Sequence, residues 1–118
     1  MDSREKGRRS EDRAASYLKA AGWDVVSRNY RTGSGEIDII AMDGSSLVAV
    51  EVKSLPANWS VSDITSMVDR RKLGRIRGTL AVFCSAEGSS IPRPFETVRF
   101  DVICVKADGS VRHFQGVE

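Results

Sequence analysis

A predicted β-hairpin constrains the fold of this chain more than any other feature of its sequence. Residues 36–42 and 47–53 have the length of strands and are rich in isoleucine and valine. Residues 43–46, Asp-Gly-Ser-Ser, have the composition of a tight turn. The two runs are therefore expected to pair as antiparallel strands.

The apolar side chains predict the register of this hairpin. If Met42 lies opposite Leu47, one face carries no polar side chain and can be buried. A shift by one residue would place Asp38 and Glu36 among the valines, so the pattern favours the first register. The apolar face is then formed by Ile37, Ile39, Ala41, Val48, Val50 and Val52.

The same register predicts a cluster of charged side chains on the opposite face. Asp38 is expected opposite Glu51, and Glu36 opposite Lys53, with facing Cβ atoms about 4.5–5.5 Å apart. Two facing carboxylates are unfavourable unless a cation lies between them or one is protonated. Because Mg²⁺ is commonly held by one or two carboxylates, this pattern is typical of a hydrolytic metal centre with a nearby lysine. The alternative is an ordinary surface ion pair between Glu36 and Lys53.

A helix is predicted over Ser3–Ala21, since apolar residues recur there at helical spacing and Gly22 can end it. Glu11 lies at the edge of the apolar side of this helix, where a carboxylate needs a partner. That partner is either the same metal ion or a neighbouring cation such as Arg8 or Lys6.

The remaining pattern predicts one α/β domain over residues 1–118. The expected order of elements is α-β-β-β-α-β-β, with a mixed β-sheet flanked by helices. Further strands are predicted at 24–30, 98–106 and 110–115, a loop at 54–60, and a second helix that begins between Val61 and Asp69 and ends near Glu87.

Basic residues are clustered although the net charge is only +2. From Asp69 to Gly78, five lysines and arginines accompany one aspartate, giving 5 − 1 = +4. Such a patch is typical of proteins that bind nucleic-acid backbones without reading sequence. The residues expected to contact nucleic acid, most simply DNA, are Arg8, Arg9, Arg31, Arg71, Lys72 and Arg75.

Other classes of protein find little support in the sequence. The charged N-terminus has no apolar signal core and no run reaches transmembrane length, so a cytoplasmic protein without a membrane partner is expected. Cys84 and Cys104 are too few for a zinc motif and are expected to pack as small apolar residues. His113 is the only histidine, and nothing predicts a catalytic triad.

Several short motifs of the chain occur together in a known family. They are Gly7-Arg8-Arg9-Ser10-Glu11, Arg28-Asn29-Tyr30-Arg31, Gly35-Glu36-Ile37-Asp38, Glu51-Val52-Lys53 and Arg99-Phe100-Asp101-Val102. With these motifs, the chain from Lys6 to about Val105 resembles the YraN family, a widespread bacterial family of small proteins. This family is placed in the restriction-endonuclease-like superfamily, near the archaeal Holliday junction resolvases.

The resemblance implies a restriction-endonuclease-like fold and metal-dependent hydrolysis of DNA, including branched or otherwise structured DNA. Asp38 and Glu51 match the metal ligands, and the backbone carbonyl of Val52 often joins such a shell. Lys53 matches the catalytic lysine, and Glu11 matches the helix-borne acid that completes the site. The expected cofactor is Mg²⁺ or Mn²⁺. Dimerisation is common among structure-specific nucleases of this superfamily, so a homodimer is a further hypothesis.

The chain departs from the family pattern at two places, and two other functions stay open. Ser10 stands where glycine is usual, and Ser54-Leu55-Pro56 replaces a basic or Thr-Arg continuation after Glu-Val-Lys. The second functional hypothesis is a non-catalytic nucleic-acid or protein adaptor that keeps the nuclease fold. The third is purely structural, with the acids paired to arginines across a dimer interface.

Overall fold

The computed structural model describes residues 2–60 and 68–117, which form two α-helices, a short 3-10 helix at Gly88–Ser90 and five strands. Helix α1 is followed by a three-stranded meander, and helix α2 precedes the last two strands. The bounds are α1 Ser3–Ala20, β1 Asp24–Thr32, β2 Gly35–Asp43, β3 Ser46–Leu55, α2 Arg70–Glu87, β4 Thr97–Lys106 and β5 Val111–Phe114. This is the predicted α/β architecture with the predicted order of elements.

The five strands form one mixed sheet in the order β1-β2-β3-β4-β5. Strands β3 and β4 are parallel, and the other neighbours are antiparallel. A parallel pair needs a crossover, and α2 lies in the chain between its two strands. The two helices pack on opposite faces of the sheet and bury a core on each side.

The two cores explain why the central strands are almost continuously apolar. On the α1 side, Leu18 packs with residues such as Ile39, Val48 and Val50. On the α2 side, Leu73, Ile76, Leu80 and Phe83 pack with Ile40, Met42, Leu47 and Ala49. Both faces of β2 and β3 are thus buried in the middle of the sheet, and only the ends of these strands can carry charge.

The predicted hairpin register is confirmed where the ladder forms. Met42 pairs with Leu47, and the ladder continues to Ile39 opposite Val50. The prediction that Ile37 shares a face with Ile39 is wrong, because Ile37 belongs to the core on the α2 side. The alternation of side chains between the two faces of β2 breaks at this point. On the neighbouring strand β1, Asn29 lies between the residues that pair with Ile39 and Ile37, and it has a left-handed backbone (φ 54°).

Most predicted boundaries lie within one or two residues of the observed ones. The main difference is β3, which continues through Ser54 and Leu55, predicted as loop, because both pair with the parallel strand β4. Helix α2 begins at Arg70, and the predicted start between Val61 and Asp69 falls partly on residues 61–67, outside the described residues. Within the described chain, neither helix is long and apolar enough to span a membrane.

Candidate metal and nucleic-acid site

The candidate site lies where β2 and β3 separate. Among the described residues, the ladder between these strands ends at Ile39 and Val50, one step before Asp38 and Glu51. Asp38 does not form the predicted ladder pair with Glu51. Instead, its Oδ2 atom accepts a hydrogen bond of 2.8 Å from the backbone N–H of Val52. The carboxylate therefore occupies the gap between the diverging strands.

Two lysines accompany Glu51 on the side of the sheet that faces α2. Lys72 Nζ from the first turn of α2 lies 2.7 Å from Glu51 Oε1, and Lys53 Nζ lies 3.5 Å from the same oxygen. Burial alone would lower the pKa of Lys72, but the hydrogen bond and the charge of Glu51 outweigh it and raise that pKa. Lys72 therefore stays protonated and counters part of the negative charge.

The predicted facing pair of Glu36 and Lys53 does not form. Glu36 lies 3.0 Å from Arg31 Nε on β1, since Arg31 and Glu36 are partners in the ladder between β1 and β2. Lys53 approaches Glu51 on its own strand instead. The plain surface ion pair that was the alternative to a site is therefore absent between these two residues.

Asp38 is the most perturbed carboxylate of the site. Burial and the nearby charge of Glu51 raise the pKa of Asp38 from 3.8 to about 7, against the lowering effect of the Val52 N–H. Glu11 and Glu36 raise it further. Near neutral pH, this carboxyl group is poised between its charged and protonated forms, and a bound cation would favour the charged form.

Glu11 reaches the same region from α1. Its Oε1 atom is buried and has no hydrogen-bond partner in the described chain, because Arg28 Nη2 at 3.7 Å is too distant for a hydrogen bond. Burial raises the pKa of Glu11, and Asn29 and Arg28 offset this only in part. The predicted alternative partners, Arg8 and Lys6, do not form an ion pair with Glu11. Arg28 instead forms its shorter ion pair, of 2.7 Å, with Asp12.

A cavity of about 250 Å³ joins the carboxylates to helix α2. Asp38, Glu51 and Glu36 line it from the sheet, and Lys72 and Arg75 line it from the helix. Gly35 permits the close approach of the two elements. A Cβ atom built there would lie 3.3 Å from Thr79 Oγ1 and 3.5 Å from the Arg75 Cβ atom.

The donor set fits a hard divalent cation. Carboxylate oxygens are the ligands that Mg²⁺ prefers, and Glu11 Oε1 is a buried acceptor that has an ion-pair partner at 3.7 Å in Arg28 but accepts no hydrogen bond, so the water of a cation could satisfy it. The described residues contain no group of three acidic, histidine or cysteine side chains arranged to enclose an ion. Mg²⁺ is commonly held by one or two carboxylates together with water and phosphate, so the described residues could suit an open site of that kind but not an all-protein cage.

The predicted nucleic-acid contacts fall into three places. Lys72 and Arg75 line the carboxylate cavity, and Arg31 stands beside it in its ion pair with Glu36. Arg71 is exposed on α2, and Arg8 and Arg9 are exposed on α1. The structure therefore brings half of these residues to the carboxylates and leaves the other half on the outer surfaces of the helices.

Three features of the site were missed from the sequence. Gly35 and Asn29 carry backbone roles, and Asp69 accepts a 2.7 Å hydrogen bond from the Lys72 N–H as the N-cap of α2. The signal for Asp69 was available, since aspartate directly before a helix is a preferred N-cap. The roles of Gly35 and Asn29 depend on contacts between elements, which hydrophobic periodicity does not report.

Known proteins similar to this chain agree with the family resemblance. The profile of the uncharacterised protein family UPF0102, which is the YraN family, matches residues 10–105. A UPF0102 protein of Kosmotoga olearia is 39% identical over 115 residues, covering 98% of this chain and 94% of the relative. A UPF0102 protein of a Parafrankia strain is 43% identical over 112 residues, covering 93% and 91%. The chain therefore belongs to the UPF0102 family.

Proposed function

We propose that this protein is a metal-dependent nuclease that hydrolyses phosphodiester bonds in DNA, with branched or otherwise structured DNA as a candidate substrate. The observation that carries the proposal is the Asp38 carboxylate, whose pKa is raised to about 7 in a cavity shared with Glu51, Lys72 and Arg75. Buried carboxylates and cations gathered in one cavity are typical of a site for phosphate chemistry.

Asp38 and Glu51 would hold the ion, with the carbonyl oxygen of Val52 as a further ligand and the side chain of Glu11 as an acceptor for a water on the ion. When bound, Mg²⁺ or Mn²⁺ supplies Lewis acidity toward a phosphate oxygen and lowers the pKa of a bound water. The Val52 N–H fixes the orientation of Asp38 through the bond to Oδ2. This bond keeps the carboxylate in the gap between the strands before substrate arrives.

The two lysines have separate roles. Lys53, about a third exposed, can orient an attacking water or stabilise the charge that develops on the phosphate. Lys72 is bonded to Glu51, so an ion held by Glu51 would share that carboxylate with the ammonium group. Arg75, exposed at the cavity wall, is placed to contact a backbone phosphate.

The test is a cleavage assay on branched DNA with Mg²⁺ for the wild type, Asp38→Asn, Glu51→Gln and Lys53→Met. Each substitution is expected to lower the rate by ~10²-fold or more, because a catalytic metal contributes several kcal/mol and each 1.36 kcal/mol is tenfold. Asp24→Asn is the matched control, since Asp24 lies at the start of β1, away from the cavity, and pairs with Arg93. If Asp38→Asn cleaves as fast as the wild type at matched Mg²⁺, the mechanism is wrong.

A non-catalytic adaptor is the second candidate function. The observation in its favour is the 2.7 Å ion pair between Lys72 and Glu51, which already supplies a positive charge to the carboxylates without a metal. An adaptor would bind DNA in a salt-dependent manner that does not change with Mg²⁺, Asp38→Asn or Glu51→Gln. Anisotropy measurements on the same variants with and without Mg²⁺ therefore separate the two functions.

A further inference from the structure

A second cleft lies on the other face of the sheet, between α1 and the ends of β3 and β4. It has a volume of about 300 Å³. Its floor is apolar, and its rim carries four cationic side chains: Lys6, Arg9 and Arg13 from α1, and Lys106 from β4. Among the described residues that line the cleft, none is acidic. The rim carries a net positive charge that attracts anions, although Asp108, next to the lining residue Gly109, interacts with Lys106.

The cations converge because of helical and strand geometry. Lys6, Arg9 and Arg13 are three and four residues apart and therefore share one side of α1. Arg13 is also fixed, since its Nε donates a 3.0 Å hydrogen bond to the carbonyl of Gly109 in the turn after β4. Like charges held near one another repel, and a bound phosphate would remove that repulsion.

A pair of hydroxyl groups lies between these cations. Ser10 Oγ and Ser54 Oγ are 2.6 Å apart, and Ser10 is only 7% exposed. Both residues line the cleft. One hydroxyl donates to the other, so one of the two protons is not used by this bond and can be donated to a phosphate oxygen.

The cleft and the carboxylate site are adjacent along two elements. Ser54 follows Lys53 on β3, and Ser10 precedes Glu11 on α1. Successive residues of a strand point to opposite faces, so the end of β3 presents Lys53 on the α2 side and Ser54 on the α1 side. A nucleic acid at this end of the sheet would therefore meet both surfaces.

We propose that the cleft is a second phosphate-binding site, which holds a backbone phosphate of the same nucleic acid outside the carboxylate cavity. The choice of ligand rests on the proposed function, whereas the site itself rests on the four cations and the hydroxyl pair. Phosphates held there position the nucleic acid without reading its sequence.

The test compares two double variants of α1 that remove the same charge. Lys6→Gln with Arg9→Gln removes two cations from the cleft, and Arg4→Gln with Lys19→Gln removes two exposed cations of the same helix that do not line it. Binding of a labelled DNA duplex is measured by anisotropy in EDTA at several salt concentrations. For the cleft variant, we expect a loss in affinity of roughly 10-fold or more and a salt slope smaller by about 0.9, the value for one lost phosphate contact. The control should change affinity by less than about threefold.

Equal losses in the two variants would overturn the proposal, because they would show an effect of net charge alone. Saturable binding of inorganic phosphate to the cleft, with unchanged DNA affinity in the cleft variant, would assign the site to free phosphate and overturn it as well. Thermal melts show whether each variant is folded. The cleavage assay on the wild type is a separate readout. If the wild type cleaves DNA and the cleft variant binds DNA as tightly as the wild type, only this inference is contradicted. If the wild type does not cleave DNA but the cleft variant binds DNA more weakly, only the proposed nuclease activity is contradicted.

Discussion

The Asp38 carboxyl group links the chemistry of the site to the stability of the fold. Its pKa is raised from 3.8 to about 7, chiefly by burial and by Glu51. A raised carboxyl pKa means that the folded state binds its proton more tightly than the unfolded chain does. Stability then falls as pH rises from about 4 to about 7, and the penalty is complete above the folded-state pKa.

Asp38→Asn is therefore expected to stabilise the metal-free protein in alkaline solution. Asparagine stays neutral, and its side-chain oxygen can still accept the bond from the Val52 N–H. The full shift equals roughly 4 kcal/mol, and solvent screening reduces the expected gain near pH 8 to about 1–3 kcal/mol. Near pH 5 the gain should be smaller, because only the first part of the penalty that builds up between about pH 4 and 7 is present there. Urea unfolding in EDTA at both pH values measures this difference.

Asp24→Asn serves as the control for that experiment. Asp24 is exposed and pairs with Arg93 at 2.6 Å, so its removal should not stabilise the protein at either pH. A gain for Asp38→Asn that is the same at both pH values would contradict the assigned cause, since it would not depend on ionisation of Asp38.

At the residue scale, the sequence predicted which side chains gather but not how they pair. Asp38, Glu51 and Lys53 are near one another, as the hairpin register implied. Glu36 pairs with Arg31 because β1 is a neighbour of β2, a fact that the hairpin alone does not contain. Likewise, the predicted register places Asp38 opposite Glu51, but the observed strands separate before this pair.

At the scale of elements, the N-terminus of α2 determines where Lys72 lies. Asp69 caps this helix through the Lys72 N–H, and the Lys72 side chain then reaches Glu51. The sequence predicted this helix and its end near Glu87, where the observed helix also ends. The extension of β3 to Leu55 was not predicted, because it depends on parallel pairing with β4, some 50 residues later in the chain.

Asp69→Ala is expected to lower stability by about 1 kcal/mol and also to reduce cleavage. Loss of an N-cap acceptor typically costs about 0.5–2 kcal/mol. At α2 it also loosens the turn that holds Lys72 against Glu51. Urea unfolding and the DNA cleavage assay are measured on the same preparation.

The chain offers a matched control for this substitution. Asp2 caps α1 in the same manner, with its side chain accepting a 2.8 Å bond from the Glu5 N–H. Asp2→Ala should lower stability by a similar amount without reducing cleavage. Equal losses of cleavage in both variants would show that Asp69 acts through general stability and not through Lys72.

At the scale of the whole molecule, polar networks hold the sheet together on the side away from the carboxylates. Buried Asp101 on β4 bonds Arg99, His113 on β5 and the Gly116 N–H, and these bonds outweigh burial and lower its pKa. His113 in turn contacts the Tyr17 hydroxyl of α1 at 3.0 Å. The ion pair between Arg99 and Asp101 is one of these contacts, and His113 is held between Asp101 and Tyr17. The network is structural because its charges are mutually satisfied by hydrogen bonds, whereas the Oε1 atom of Glu11 accepts no hydrogen bond.

Mg²⁺ at the carboxylate site should stabilise the folded protein against unfolding. Mg²⁺ that binds only the folded state raises the free energy of unfolding by an amount that grows with concentration, about 2.7 kcal/mol at one hundred times the dissociation constant. The ion and a proton compete for Asp38, so the gain should be larger near pH 8 than near pH 5.5. Thermal unfolding of the wild type, with NaCl at matched ionic strength as the reference, measures it. Asp38→Asn should lose most of the gain, whereas Asp24→Asn should keep it. A gain that is independent of pH and of Asp38 would place the ion elsewhere on the molecule, and no gain in any protein would favour the adaptor over the nuclease.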